Sequence, residues 1–440
     1  MELLNAYASQ SESESESGDA LRRSPDENSL KRRFTVSKGE TQRWKRKRKA
    51  AGPWESWSSS ESDGDAAVIP DIVDQDDVDG DASNSDGGTT VDGDIADAQS
   101  RYYGPPGCQS SLLSVPSDVA VDLEKPPLSF KCYLPKTVKA TFSGHRNGTN
   151  TLQFIPNTGH LFMSGGNDAV VRLWDFYHDR RCVRDYRSHS KGIRATRFVP
   201  DGSQFLSASF DQTVNRWDTE TGTVLQSLSL RSTPTAVDFR PQHGTDEYLV
   251  GLSDSRILHY DTRVDTRDGL VQTYDHHLGG ILALRYFPDG TKFISSSEDK
   301  TVRIWDSGVN IPVKQISDTT QHSMPSVSLH PAGGYFVTQS MDNVLYTYSL
   351  RPKYRRHQTK LFRGQRGAGY GIGVGFSPDG KYVCSGDSKS KVLVWDWTTT
   401  KLLRELRVPG RRPITQVEWH PQETSKVICS GAAGKIYMFD

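Results

Sequence analysis

Three histidines in this 440-residue chain are each followed, at nearly constant intervals, by an aspartate and a tryptophan: His145, Asp168 and Trp174; His189, Asp211 and Trp217; His277, Asp299 and Trp305. A histidine sharing a proton with a carboxylate is the general base of many hydrolytic sites. A catalytic site needs such a set once, whereas here it recurs at one spacing. That is the mark of a repeated structural element whose buried polar groups satisfy one another. Other chemistry is poorly supplied. Cys108, Cys132, Cys182, Cys384 and Cys429 are far apart and odd in number. Neither a disulfide framework nor a CxxC metal site is expected, and a reducing compartment fits. The remaining histidines are scattered, so no metal is expected. Gly367, Gly369, Gly371, Gly373 and Gly375 alternate by two, as in a tightly packed strand, without the lysine of a phosphate loop. No enzymatic activity and no cofactor are expected.

The elements that must position these residues are legible as an internal repeat. Seven segments end alike: VVRLWD (170–175), TVNRWD (213–218), RILHYD (256–261), TVRIWD (301–306), VLYTYS (344–349), VLVWD (392–396) and KIYMFD (435–440). Their aromatics, Trp174, Trp217, Tyr260, Trp305, Tyr348, Trp395 and Phe439, are 43, 43, 45, 43, 47 and 44 residues apart. A period of about 40–45 closing on a WD-like pair is the WD-repeat pattern, one four-stranded blade per repeat. Asp168, Asp211, Asp254, Asp299 and Asp342 stand six residues before the aromatic, in the turn between second and third strands. Lys389 and Ala433 replace the acid in repeats 6 and 7, where no polar network is expected. The expected fold is all-β: a seven-bladed WD40 β-propeller preceded by a long disordered N-terminal arm. The seventh repeat reaches Asp440 on its third strand, so Thr137–Phe142 is expected to supply its fourth and to close the ring.

Composition divides the rest of the chain. Only 34% of residues are hydrophobic, and no apolar run of about 18 residues exists, which argues against a transmembrane helix. The N-terminus lacks the basic and apolar regions of a secretory signal. Net charge is zero, yet residues 1–49 carry 12 Lys/Arg and 8 Asp/Glu, residues 50–100 carry 14 acids and no Lys/Arg, and residues 101–440 carry 42 bases and 32 acids. Residues 1–100, too polar to offset their ordering entropy, read as a disordered tail, basic and then acidic. Residues 101–136 read as an extended arm leading into the propeller at 137–440. Within the tail, Lys31, Arg32, Arg33 and Lys45, Arg46, Lys47, Arg48, Lys49 suit the acidic grooves of a nuclear import receptor, or nucleic acid, and otherwise are a solvated charge run. SESESES at 11–17 and Ser58-Ser59-Ser60-Glu61 fit acid-directed kinases or mere solubility. The acidic run could also fold back on the basic C-terminal region as an electrostatic mimic of RNA.

Three basic clusters lie in the propeller: Arg180, Arg181, Arg184, Arg187, Lys191, Arg194 and Arg197; Arg351, Lys353, Tyr354, Arg355 and Arg356, continuing through Lys360, Arg363 and Arg366; and Arg404, Arg407, Arg411 and Arg412. Loops between blades are expected on one exposed rim. There, guanidinium groups pair with phosphates or acidic protein residues, and Tyr354 is a candidate to stack on a base. Ordinary solvated surface is the competing reading.

Strings that the repeat pattern does not dictate carry a closer likeness. KCYLPK (131–136), FSGH (142–145), HSMP (322–325), QSMDN (339–343), GAGY (367–370), FSPDGKYVCSGD (376–387), WDWTTTKL (395–402) and HPQETSKVI (420–428) resemble the pre-mRNA-processing factor 17 family, WD-repeat factors of the second step of splicing. GPW (52–54) resembles a short motif of that family's N-terminal arm, and 102–123 the arm just ahead of the propeller. The short N-terminal region with its own acidic run departs from the family. The resemblance implies a nuclear, non-enzymatic spliceosome component that supports remodelling between branching and exon ligation. Its implied partners are spliceosomal proteins, with small nuclear RNA or pre-mRNA as candidate direct contacts; no membrane is involved, and the chain is a monomer within a large complex. The alternative is a WD-repeat substrate receptor of a cullin ubiquitin ligase, resting on the WDxR-like Tyr260-Asp261-Thr262-Arg263.

Overall fold

Each repeat alternates short β-branched and aromatic runs with turn residues, and each run becomes a strand. The computed structural model describes residues 99–104, 112–116, 118–178, 180–241, 246–264 and 269–440. These form seven antiparallel sheets, the blades of a WD40 propeller. Blade 1 runs outward from Thr149–Phe154 through Leu161–Gly166 and Val170–Asp175 to Cys182–Arg187. Blades 2 to 6 repeat this order. In blade 7 the strands Ile414–Trp419, Val427–Gly431 and Lys435–Phe439 are completed by Val138–Ser143, which pairs antiparallel with Lys435–Phe439. The ring therefore closes as the repeat count requires, without an open edge at the join.

The middle strands are buried on both faces because each blade is covered by two neighbours. Leu161–Gly166, Glu247–Leu252 and Val427–Gly431 are buried throughout. The motif aromatic of the third strand lies directly opposite a residue of the second: Trp174 faces Phe162, Trp217 faces Phe205, Tyr260 faces Tyr248, Trp305 faces Phe293 and Tyr348 faces Phe336. All five pairs stack, with ring centroids 5.0–6.2 Å apart. Such pairs contribute about 0.5–1.5 kcal/mol each beyond their burial. In blades 6 and 7 the partners are Val383 and Val427.

The turns between second and third strands share one backbone state. Ala169, Gln212, Ser255, Lys300, Asn343, Ser390 and Gly434 all have positive φ, between 58° and 76°. The residue just before each is the repeat's Asp, or Lys389 or Ala433. An aspartate there receives the backbone N–H two residues on: Thr213 N donates to Asp211 Oδ1 at 2.9 Å and Thr301 N to Asp299 Oδ1 at 2.9 Å. The carboxylate thus serves a local turn as well as the blade's network.

One strand lies outside the repeat pattern. Gln99–Tyr102 pairs antiparallel with Cys182–Arg187 and makes blade 1 five-stranded. The strand crosses the expected boundary between a disordered tail ending at 100 and an extended arm beginning at 101, and it corrects the tail reading for Gln99 and Ser100. These four residues contain no apolar alternation, and their pairing partner lies about 85 residues away, so nothing local announces them. The rest of the tail expected to be disordered lies outside the described residues.

Candidate functional site

Strand alternation places the turns between second and third strands, and the loops between blades, on one face of the ring. This is the upper face here; the other loops form the lower face. The expected polar sets assemble just below the upper face. In blade 1, His145 Nδ1 lies 2.9 Å from Asp168 Oδ1, His145 Nε2 lies 2.8 Å from Ser164 Oγ, and Trp174 Nε1 donates to that hydroxyl at 2.8 Å. Blade 2 gives 3.0, 2.7 and 2.9 Å through His189, Asp211, Ser207 and Trp217. Blade 4 gives 2.8, 2.7 and 2.8 Å through His277, Asp299, Ser295 and Trp305.

One proton assignment accounts for the chain of contacts in each set: indole N–H to serine oxygen, serine O–H to His Nε2, and His Nδ1–H to carboxylate, with Arg172 in blade 1 donating to the same Asp168. At His145 and His277 it goes with a neutral imidazole. Burial holds His145 and His277 below the usual histidine range even against their aspartates. Burial alone would raise the carboxyls of Asp168, Asp211 and Asp299, but hydrogen bonds from His145 and Arg172, from His189 and Thr213, and from His277 and Thr301 outweigh it. All three are held well below the ordinary carboxylate range. Each histidine is therefore enclosed by its own blade, with both ring nitrogens engaged.

The other repeats use different partners. Asp254 is bound by Arg256, and Asp342 accepts from Tyr346 Oη at 2.5 Å. In blade 6 the Trp395 indole donates instead to the Arg363 carbonyl at 2.9 Å.

The basic clusters do not share one rim. Arg180 and Arg181 lie in a lower-face turn, while Arg194 and Arg197 stand on the inner strand that lines the central channel. Arg197 Nε binds Asp238 at 2.7 Å, and Arg285 reaches the same carboxylate at 3.3 Å. Across the channel, burial pushes the Glu418 carboxyl up to about 7 despite Arg197, the Phe154 N–H and Arg285. Arg184 is spent on the arm strand and a neighbouring turn, donating to Ser100 Oγ and to the Thr221 and Glu220 carbonyls.

Tyr354, the candidate base-stacking residue, is only 6% exposed and packs edge-on against Phe287 in the core of blades 4 and 5. Its ring is unavailable to a base. That expectation failed because an aromatic between two basic residues was read as surface, whereas Tyr354 folds under the turn. Arg351, Lys353 and Arg355 remain exposed, and Arg356 stacks on Tyr346 and pairs with Asp318 at 3.3 Å. This group lies in the turn between the third and fourth strands of blade 5, on the lower face, rather than in a loop between blades.

Residues 112–136 contribute a clamp that spacing did not reveal. Leu112 O accepts from His160, Asp118 pairs with His178, Lys125 O accepts from Gln422, and Cys132 N donates to Asp379 Oδ2 at 2.8 Å. These contacts cross the lower face of blades 1, 7 and 6. Leu123 and Cys132 are buried beneath it.

This chain is 53% identical to pre-mRNA-processing factor 17 of Saccharomyces cerevisiae over 420 residues, 94% of this chain and 92% of that protein. The chain belongs to the pre-mRNA-processing factor 17 family. Its mouse and human members are each 39% identical over 331 residues, 75% of this chain; that stretch is 56% of their own length, so the chain matches little more than half of them. The family description WD domain, G-beta repeat matches residues 136–175, 180–218, 269–306 and 358–396. These are the spans that include the three complete His–Asp sets and blade 6.

Proposed function

We propose that this factor 17 homologue is a nuclear, non-catalytic scaffold component of the spliceosome that supports exon ligation, the second step of pre-mRNA splicing. The observation that carries the reading is the 53% identity to yeast pre-mRNA-processing factor 17 across nearly the whole of both chains. The local chemistry is compatible with it. The histidines and aspartates that could act on a substrate are bound to one another inside their blades, and a rigid ring clamped by its own arm offers several separate faces to protein and RNA partners.

Arg263, on which the cullin-receptor alternative rests, is held by Asp261 at 2.7 Å and Glu247 at 2.6 Å. This geometry gives that alternative no added support. The test is a splicing extract depleted of the chain. Accumulation of free first exon and lariat intermediate, relieved by adding the purified protein, supports the reading. Unimpaired exon ligation, or co-purification with a cullin adaptor instead of small nuclear RNAs, overturns it.

A further inference from the structure

On the upper face the two repeats that lack the turn aspartate are adjacent, and their surroundings are strongly basic. The loops 363–373, 387–390, 408–413 and 432–434 of blades 6 and 7 contain Arg363, Arg366, Lys389, Arg411 and Arg412 against a single carboxylate, Asp387. Asp387 is buried and is occupied by the Arg366 N–H at 2.7 Å. All five cationic residues are exposed, and none forms an ion pair among the described residues.

We propose that this upper-face arc over blades 6 and 7 binds single-stranded RNA through its phosphodiester backbone. The cations are carried on a backbone that is already ordered. Trp395 Nε1 donates to the Arg363 carbonyl at 2.9 Å, Ser388 N to the Arg366 carbonyl at 2.9 Å, and Ser390 Oγ to the Arg412 carbonyl at 2.6 Å. These bonds place Arg366, Lys389 and Arg412 side by side across the junction of two blades. Uncompensated like charge so arranged destabilises the free protein and favours a polyanion.

Two features favour a polyanion at this arc, and a third favours RNA over an acidic polypeptide. Lys389 and Ala433 replace the turn acids that would repel phosphate. The backbone is open on both flanks: Gly364 and Gly410 have φ of +110° and +111°, with only Leu402 near the first and nothing within 4 Å of the second. Tyr370 stands half-buried in the same loop, an aromatic surface beside the phosphate track of the kind on which bases stack. The inference rests on the splicing reading for its biological setting but not for its chemistry.

The test uses the full chain with Lys31–Arg33 and Lys45–Lys49 replaced by alanine, so that the tail does not contribute. Binding to a labelled single-stranded RNA of about 20 nucleotides is followed by anisotropy across a salt series. The triple variant R366E/K389E/R412E is expected to melt like its parent, to bind at least about tenfold more weakly, and to lose about 2 from the slope of log K against log salt. The lower-face triple R351E/K353E/R355E is expected to leave both unchanged. Tyr370→Ala is expected to weaken RNA binding but not poly-glutamate binding. Parent-like RNA binding by the upper-face triple overturns the proposal. Tighter binding of poly-glutamate than of RNA at equal charge also overturns it, assigning the arc to an acidic protein segment. If the purified chain binds no RNA yet still co-purifies with small nuclear RNAs, this inference fails while the splicing reading stands.

Discussion

Thr137 and Asp440, about 300 residues apart in sequence, exchange backbone hydrogen bonds: Thr137 N donates to Asp440 O at 2.9 Å, and Asp440 N to Thr137 O at 3.0 Å. This exchange continues the pairing of Val138–Ser143 with Lys435–Phe439 and joins the first strand of the ring to the last.

Deleting residues 1–143 is therefore expected to be far more damaging than deleting 1–98. The longer deletion removes the whole closing strand with Phe142, which is 1% exposed and packs edge-on against Phe162 and Trp174. Loss of that aromatic alone costs about 3–5 kcal/mol, and the unpaired edge adds aggregation. The shorter deletion leaves every described strand in place. Thermal melting of the two truncations side by side checks this, and identical midpoints refute the closure argument.

Asp211→Ala is expected to cost about 1–3 kcal/mol, because it removes the carboxylate partner of the buried His189 Nδ1, leaving only Thr213 Oγ1 at 2.9 Å, and the turn's cap at Thr213. Lys389→Ala, at the equivalent exposed position of blade 6, is expected to change stability by less than about 0.5 kcal/mol. Urea denaturation of both variants makes the comparison, and equal losses contradict it.

The histidines set an acid limit. His145 and His277 are held below their ordinary range chiefly by burial. As pH falls through about 6.5, the unfolded chain binds protons that the native chain refuses. The stability they contribute is complete above that pH and declines below it. Asp168, Asp211 and Asp299, held low in the native state, add a second loss as pH falls through about 4. Glu418, whose carboxyl burial pushes up to about 7, works in the opposite sense between about pH 7 and 4. The measurement is therefore made in a Glu418→Gln background, where denaturation midpoints are expected to be flat near pH 7–8 and to fall between about pH 6.5 and 5. A midpoint that rises on acidification rules out neutral network histidines.

The arm clamp should be readable through Cys132. Its thiol is buried, and burial pushes its pKa up to about 12, so labelling by a maleimide is expected to be slow in the native chain. Asp379→Ala removes the acceptor of the Cys132 N–H and is expected to speed that labelling several-fold in a Cys108→Ser/Cys182→Ser background; it also removes the acceptor of Ser377 Oγ and Lys381 N in the blade 6 turn, at a cost of about 1 kcal/mol. An unchanged labelling rate means that the clamp does not depend on Asp379.

The tail clusters Lys31–Arg33 and Lys45–Lys49 lie outside the described residues, and their role in nuclear import is a proposal. Replacing them with alanine is expected to shift a tagged protein towards the cytoplasm while its melting point stays the same. Full nuclear retention of that variant eliminates them as the import signal.

What the sequence by itself determined is the periodic part. Seven aromatics about 44 residues apart set the number of blades. The lone strand Thr137–Phe142 ahead of the first repeat announced the closure, and the His–Asp–Trp spacing announced three buried networks. Each of these is fixed by neighbours within one repeat, or by a repeat count, and both leave a regular trace in the chain. The tertiary structure decided which side chains the ring exposes. Tyr354 was buried against Phe287, Arg197 and Arg285 were turned into the channel onto Asp238, and Arg366, Lys389 and Arg412 from three separate segments were brought onto one face. It also laid Gln99–Tyr102 along blade 1 and seated Cys132 against Asp379, 247 residues further along the chain. Contacts of that kind form once, between segments with no common period, so only closing the ring brings their partners together.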